Sequence, residues 1–121
     1  MKVLVIDDEV DICLLLTSIL KKAGHETLYS TTIKQGVVAA EQFVPDVVFL
    51  DLNLSDGSGF AAIPLIRKTN PLAEIVIISA HDGPFEKKRA LSENIEYFLN
   101  KPLKKSEIDE VLDQLSEKSQ T

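Results

Sequence analysis

Short apolar runs alternate with amphipathic stretches along the whole chain. The runs fall at residues 3–6, 26–29, 47–50, 75–78 and 97–99. Those at 3–6, 47–50 and 75–78 are unbroken and rich in Val and Ile, which predicts strands covered on both faces. The run at 97–99 is shorter, and 26–29 mixes polar with apolar residues, as an edge strand does. Between the runs the spacing turns helical. Ile12, Leu15, Leu16, Ile19 and Leu20 make one apolar stripe, with Gly24 as its stop. Ile33, Val37, Ala40 and Phe43 make a second after Thr32, ended by Pro45. Ile108, Val111, Leu112 and Leu115 make another, with Ser106 placed as its N-cap. Asn94 tolerates a left-handed backbone and is suited to close the helix before the fifth strand. The third helix, near Gly59 to Arg67, contains Pro64. Proline lacks an N–H and its ring clashes with the carbonyl four residues back, so this helix either starts late or is kinked.

Five strand–helix pairs in strict alternation predict right-handed crossovers and an α/β domain: one parallel sheet with helices on both faces. The 121 residues suffice for one domain, placed at 1–116, with a polar C-terminal tail or linker start at 117–121. The 13 basic against 19 acidic side chains give a net charge of −6, which argues against direct nucleic acid binding through phosphates. Cys13 is the one cysteine, so an internal disulfide is impossible and a reducing, cytoplasmic setting is expected. No apolar stretch approaches the roughly 20 residues that span a bilayer, and no membrane association is expected. Met1 to Ile6 runs straight into two aspartates, unlike a signal peptide.

In an open α/β sheet, ligands bind beyond the carboxyl ends of the strands. The first run is followed by Asp7, Asp8 and Glu9, and the third by Asp51, Leu52 and Asn53. The fourth is followed by Ser79, Ala80 and His81, and the fifth by Asn100, Lys101 and Pro102. Each group alone has an ordinary reading. Acidic residues favour the positive end of a following helix, Asp56-Gly57 is a turn, Ser79 caps a helix and Lys101 is solvated. Together they say more. Converging carboxylates repel one another unless a cation neutralises them. All-oxygen ligands suit Mg²⁺ or Mn²⁺, and the two histidines, His25 and His81, make no zinc set. A lysine and a small hydroxyl beside such a metal complete a pocket for a dianionic phosphoryl group.

Asp7-Asp8, Asp51, Ser79 and Lys101-Pro102, in this order and each at a different strand end, resemble the signature of response-regulator receiver domains of two-component phosphorelays. The resemblance runs from about Lys2 to Leu115. It implies a flavodoxin-like, three-layer domain resembling the chemotaxis regulators, with strand order 2-1-3-4-5. It also implies a phosphoacceptor signalling domain, not a turnover enzyme, that takes a phosphoryl group from a histidine kinase or a histidine phosphotransfer protein. On that resemblance Asp51 is the phosphoacceptor. Asp8, Asp51 and the Asn53 backbone carbonyl are Mg²⁺ (or Mn²⁺) ligands, and Asp7 acts through a water. Lys101 and Ser79 contact the phosphoryl group, and the Lys101–Pro102 peptide is cis. Ser79 and Phe98 form the switch; the ordinary reading of the same strand is that Phe98 is core packing and Tyr97 takes the outward face.

The resemblance places the output surface on the fourth helix, fifth strand and fifth helix. Lys87, Lys88 and Arg89 there oppose Glu107, Asp109, Glu110 and Asp113. The implied partners are a downstream protein or a covalently linked output domain, and a phosphorylation-dependent homodimer. Ser55 departs from the family pattern, standing where a proline is usual four residues after the acceptor, and a more mobile loop is expected there. Asn53 and His81 occupy positions that tune acyl-phosphate lifetime in the family. Two competing readings stand beside this one. A pseudo-receiver would act as a scaffold by protein contact alone. A flavodoxin-like cofactor binder or small hydrolase would share the fold; against a nucleotide binder, no Gly-rich phosphate loop follows the first strand.

Overall fold

In the computed structural model, which describes residues 1–80 and 83–119, the first strand shows how the sheet is built. β1 (Lys2–Ile6) buries Val3 and Val5 in one core and Leu4 and Ile6 in another. Alternate strand side chains point to opposite faces, so an unbroken apolar run serves two cores at once. β2 (Glu26–Ser30) pairs with one side of β1 and β3 (Val47–Asp51) with the other. A two-stranded hairpin follows, β4 (Asn53–Leu54) with β5 (Gly57–Ser58). β6 (Glu74–Ser79) and β7 (Tyr97–Asn100) complete a five-stranded parallel sheet in the order β2-β1-β3-β6-β7. Without the small hairpin this is the order 2-1-3-4-5, the flavodoxin-like winding.

α1 (Val10–Lys22) and α5 (Lys105–Ser119) pack on the face that holds Val3, Val5, Phe49 and Ile78. α2 (Ile33–Phe43), α3 (Gly59–Thr69) and α4 (Pro84–Ser92) cover the face that holds Leu4, Ile6, Leu50 and Ile77. Each fully buried Val, Leu, Ile or Phe contributes about 1.5–3 kcal/mol, so these two cores are the main source of stability.

Helix phases and ends differ from expectation in several places. On α1 the sheet-facing positions are Cys13, Leu16, Thr17 and Leu20, while Leu15 is exposed. Thr17 is buried at little cost because its hydroxyl donates to the Cys13 carbonyl at 2.8 Å. Gly24 takes φ +92°, and Asn94 takes φ +60°, as the left-handed closures. Pro64 lies well inside α3, beyond its first turn, and removes one bond of the ladder. Ser58, not a later residue, caps that helix by accepting from the Phe60 N–H at 3.2 Å. α5 starts at Lys105, one residue before the expected cap. The Lys104 carbonyl, rather than the Ser106 side chain, receives its first N–H groups, from Glu107 and Ile108. The same helix runs to Ser119, three residues past the boundary drawn at 116, and Lys118 bonds Glu74 on β6 at 2.8 Å. Tyr97 is buried on the α1–α5 side and Phe98 half-buried on the other, which reverses the outward face expected for Tyr97.

The N-terminus of α2 has two caps. Thr32 Oγ1 accepts from Gln35 N at 3.1 Å, as its position before the helix suggests. The second comes from the turn of the hairpin: Asp56 accepts from Ile33 N at 2.8 Å and from Lys34 N at 3.1 Å. The Ile33 N–H, joined by that of Lys34, holds the Asp56 carboxyl below its ordinary 3.8 against the opposing effect of desolvation. A carboxyl with a lowered folded-state pKa stabilises the fold above its unfolded value, and that contribution fades as pH falls through the folded value. Asp56→Ala therefore lowers the urea midpoint at pH 7, and the gap to wild type narrows as pH falls below 3.8. A gap that stays constant down to the acid limit contradicts the cap.

Candidate functional site

The carboxyl ends of β1, β3, β6 and β7 converge on one edge of the sheet. Asp7 follows β1, Asp51 and Ser79 are the last residues of β3 and β6, and Lys101 follows β7. Backbone hydrogen bonds fix their heights. The Asp7 N–H donates to the Ser30 carbonyl at 3.1 Å, and the Lys101 N–H to the Ser79 carbonyl at 2.8 Å. The Lys101–Pro102 peptide is cis. Beneath Asp51 the chain turns back tightly enough that the Gly59 N–H donates to the Leu52 carbonyl at 2.8 Å. A Cβ on Gly59 would collide with the Asp51 carbonyl.

Charge is concentrated here. The Lys101 ammonium lies 3.1 Å from Asp7 Oδ2, 3.2 Å from Asp51 Oδ2 and 2.7 Å from Glu9 Oε2. Asp7 and Asp51 are buried and Glu9 is exposed, so the first two contacts act at low dielectric and the third is screened. Burial raises the Asp7 carboxyl; the Glu9 N–H, at 2.8 Å from Oδ1, lowers it, the Asp51 charge raises it, and Lys101 opposes. Burial alone would lower the Lys101 ammonium, but its hydrogen bond to Glu9 and the nearby carboxylates of Asp7 and Asp51 leave it raised. One ammonium faces the carboxylates of Asp7, Asp8, Glu9 and Asp51, and negative charge is in excess.

That excess is what a divalent cation would neutralise. Asp7, Asp8 and Asp51 each offer an oxygen, all within 4.8 Å of one another. Opposite oxygens across an octahedral Mg²⁺ lie roughly 4.2 Å apart, so small side-chain motions close the set. Asp7 Oδ2 is buried without a hydrogen bond despite its nearness to the ammonium, an acceptor in need of a donor or a cation. The donors are hard oxygens and suit Mg²⁺ or Mn²⁺. Asn53 heads the hairpin beside them, its N–H donating to Asp51 Oδ1 at 3.1 Å.

Ser79 is fully buried at the end of β6. Phe98 stands apart from the acidic cluster, packed against the α2–α4 core, with the Lys87 ammonium 5.9 Å from its ring centre. Arg89 turns toward α3 and lies over the Phe60 ring at 4.5 Å, so it does not join Lys87 beside β7. His81 lies outside the described residues. Glu9 was legible as an acidic strand-end residue, but its reach to Lys101 was not, because the two are 92 positions apart. Cys13, beneath the cluster, donates to the Asp7 carbonyl at 3.2 Å, and burial pushes its thiol up to about 11, which keeps it inert.

Residues 3–113 match the family described as the response regulator receiver domain. The chain is 29% identical over 116 residues to the chemotaxis protein CheY of Thermotoga maritima, covering 95% of this chain and 97% of that protein. It is 35% identical over 106 residues to the protein-glutamate methylesterase/protein-glutamine glutaminase of Archaeoglobus fulgidus, covering 84% of this chain but 30% of the relative. A two-component response regulator of Clostridium difficile has the same fold, with a TM-score of 0.93, 22% identity, and coverage of 100% of this chain and 99% of that one.

The packing of Gly59 against β3 has a measurable consequence. Gly59→Ala forces β3 or the start of α3 to shift and costs about 1–3 kcal/mol, the range for overpacking a filled site. Urea denaturation of the two proteins reads this directly, and an unchanged midpoint contradicts the close approach.

Proposed function

Because the chain belongs to the response regulator receiver domain family, we propose that it accepts a phosphoryl group on Asp51 with the help of Mg²⁺ or Mn²⁺ and thereby switches a protein-binding face. The observation that carries this reading is the buried Asp51 carboxylate. It lies 3.2 Å from the Lys101 ammonium, with the oxygens of Asp7 and Asp8 within 4.8 Å. An Asp51 oxygen bonds to phosphorus as the bond to the donor histidine nitrogen breaks, leaving an acyl phosphate. Lys101 neutralises the carboxylate before transfer and pairs with a phosphoryl oxygen after it. Ser79 donates its hydroxyl to that group. Asp8, Asp51 and the Asn53 carbonyl hold the divalent ion, with Asp7 acting through a water. When bound, the ion supplies positive charge to the transferring phosphoryl group.

The donor is a histidine kinase or a histidine phosphotransfer protein. The recipient of the signal is a downstream protein, a linked output domain or a second copy of the chain, engaged through α4, β7 and α5. Ser79 drawn toward the phosphoryl group makes room for Phe98 to turn. Phosphorylation shifts this equilibrium only by contacting the two states differently. Among the described residues no helix is long and apolar enough to cross a membrane, and we place the domain in the cytoplasm. A scaffold without phosphoryl chemistry is disfavoured, since such a module has no need of an ammonium shared by two buried carboxylates.

Alignment and charge neutralisation come from the domain itself, so a small phosphodonor suffices. Incubation with acetyl phosphate and Mg²⁺ is expected to add one phosphoryl group by intact-protein mass spectrometry. Asp51→Ala, or removal of the metal, is expected to abolish it. Equal labelling of Asp51→Ala overturns the assignment. Mg²⁺ binding to the native state alone adds about 2.7 kcal/mol at a hundredfold excess over the dissociation constant. The wild-type melting temperature is therefore expected to rise with Mg²⁺, and that of Asp8→Ala much less. An undiminished rise in the variant puts the ion elsewhere.

A further inference from the structure

Ser55 leaves the loop after the phosphoacceptor without the rigidity a proline would bring, yet residues 53–58 form a paired hairpin. What anchors that hairpin is its own turn residue. Asp56 reaches across to α2 and accepts from both Ile33 N, at 2.8 Å, and Lys34 N, at 3.1 Å. These partners are more than twenty positions away, so the contact ties two separate elements rather than closing a local turn. The chain of contacts then runs inward. The Asn53–Ser58 and Leu54–Gly57 pairs carry the constraint to Asn53, whose N–H donates to Asp51 Oδ1 at 3.1 Å. Ile33 Cδ1 lies where a Cβ on Gly57 would come within 3.2 Å, so the side of the turn is packed as well as bonded.

From this geometry we propose that Asp56 is a positioning residue for the acceptor site. By fastening the hairpin to the N-terminus of α2, it sets the place of the Asn53 carbonyl and the orientation of the Asp51 carboxylate. The proposal rests on the reading of Asp51 and Asn53 given above. It adds a residue that touches neither phosphoryl group nor metal and acts through Asn53. It also makes α2 a responding element. An ion that fixes Asn53 also steadies Asp56, so the Ile33 and Lys34 amides gain protection, because coupling between sites is reciprocal.

Three proteins test this: wild type, Asp56→Ala, and Asp56→Asn, whose amide oxygen still accepts but whose charge is gone. Mg²⁺ affinity is measured by calorimetry, exchange of the Ile33 and Lys34 amides by NMR with and without Mg²⁺, and the initial rate of labelling by acetyl phosphate. Asp56→Ala is expected to bind Mg²⁺ about tenfold more weakly, the lower range for losing a residue that orients a metal ligand. Labelling should slow while still ending at Asp51. Asp56→Asn is expected to recover most of the affinity, which loss of negative charge or a merely structural role would not allow. In wild type, Mg²⁺ is expected to slow exchange at Ile33 and Lys34. Thr32 still caps α2 in both variants, so the helix retains its start, and a thermal melt verifies folding. Wild-type Mg²⁺ affinity in both variants, or equal losses in both, overturns the proposal. A wild type that binds Mg²⁺ yet takes no label overturns the phosphoryl-acceptor reading instead, and the affinity and exchange measurements still decide the role of Asp56.

Discussion

One ammonium shared by buried carboxylates is the constraint on which the rest of this structure turns. Lys101 follows β7 and meets Asp7 beyond β1 and Asp51 at the end of β3, both buried, and the exposed Glu9. A buried carboxylate without a partner costs several kcal/mol, so the three strand ends must meet for the fold to tolerate these residues at all. The parallel sheet provides the meeting point, since every strand ends on the same edge. Excess acid remains after Lys101 is counted, and that unbalanced charge is what a divalent cation would neutralise.

The two cores hold this edge from below. Val3, Val5 and Phe49 face α1 and α5, and Leu4, Ile6 and Leu50 face α2, α3 and α4, so neither layer can slide without opening a cavity. Close approaches complete the support. Gly59 lets the chain return directly beneath Asp51, and Asp56 fastens the intervening hairpin to α2. The Asp51 carboxylate is thereby held by backbone on one side and by charge on the other.

Much of this architecture was legible in the sequence, for physical reasons that also explain the gaps. Val- and Ile-rich runs declared the central strands because a sheet covered on both faces admits little else. The convergence of Asp7, Asp8, Asp51, Ser79 and Lys101 on one edge follows from strands that run parallel. Helix faces were harder to read. Cys13 and Thr17 turn inward on α1 while Leu15 is exposed, because Thr17 satisfies its hydroxyl on the Cys13 carbonyl and a count of apolar residues cannot register that. Tyr97, expected to face outward, joins the α1–α5 core while Phe98 packs on the opposite one, since alternation fixes two opposite faces without saying that helices cover both. Ser106 resembled a cap, but α5 starts one residue earlier, on the Lys104 carbonyl. Glu9 on Lys101 and Asp56 on α2 are contacts across long stretches of chain, and no local pattern announces them.

In the proposed function, Asp51 is the residue at which phosphoryl group, metal and ammonium meet. A crystal structure of the protein with Mg²⁺ and beryllofluoride tests this most directly. The expected beryllium adduct is on an Asp51 oxygen, with the Lys101 ammonium and the Ser79 hydroxyl on its fluorides. Mg²⁺ is expected at about 2.1 Å from Asp8, Asp51 and the Asn53 carbonyl. An adduct on another residue, or a metal bound away from Asp8 and Asp51, would contradict it.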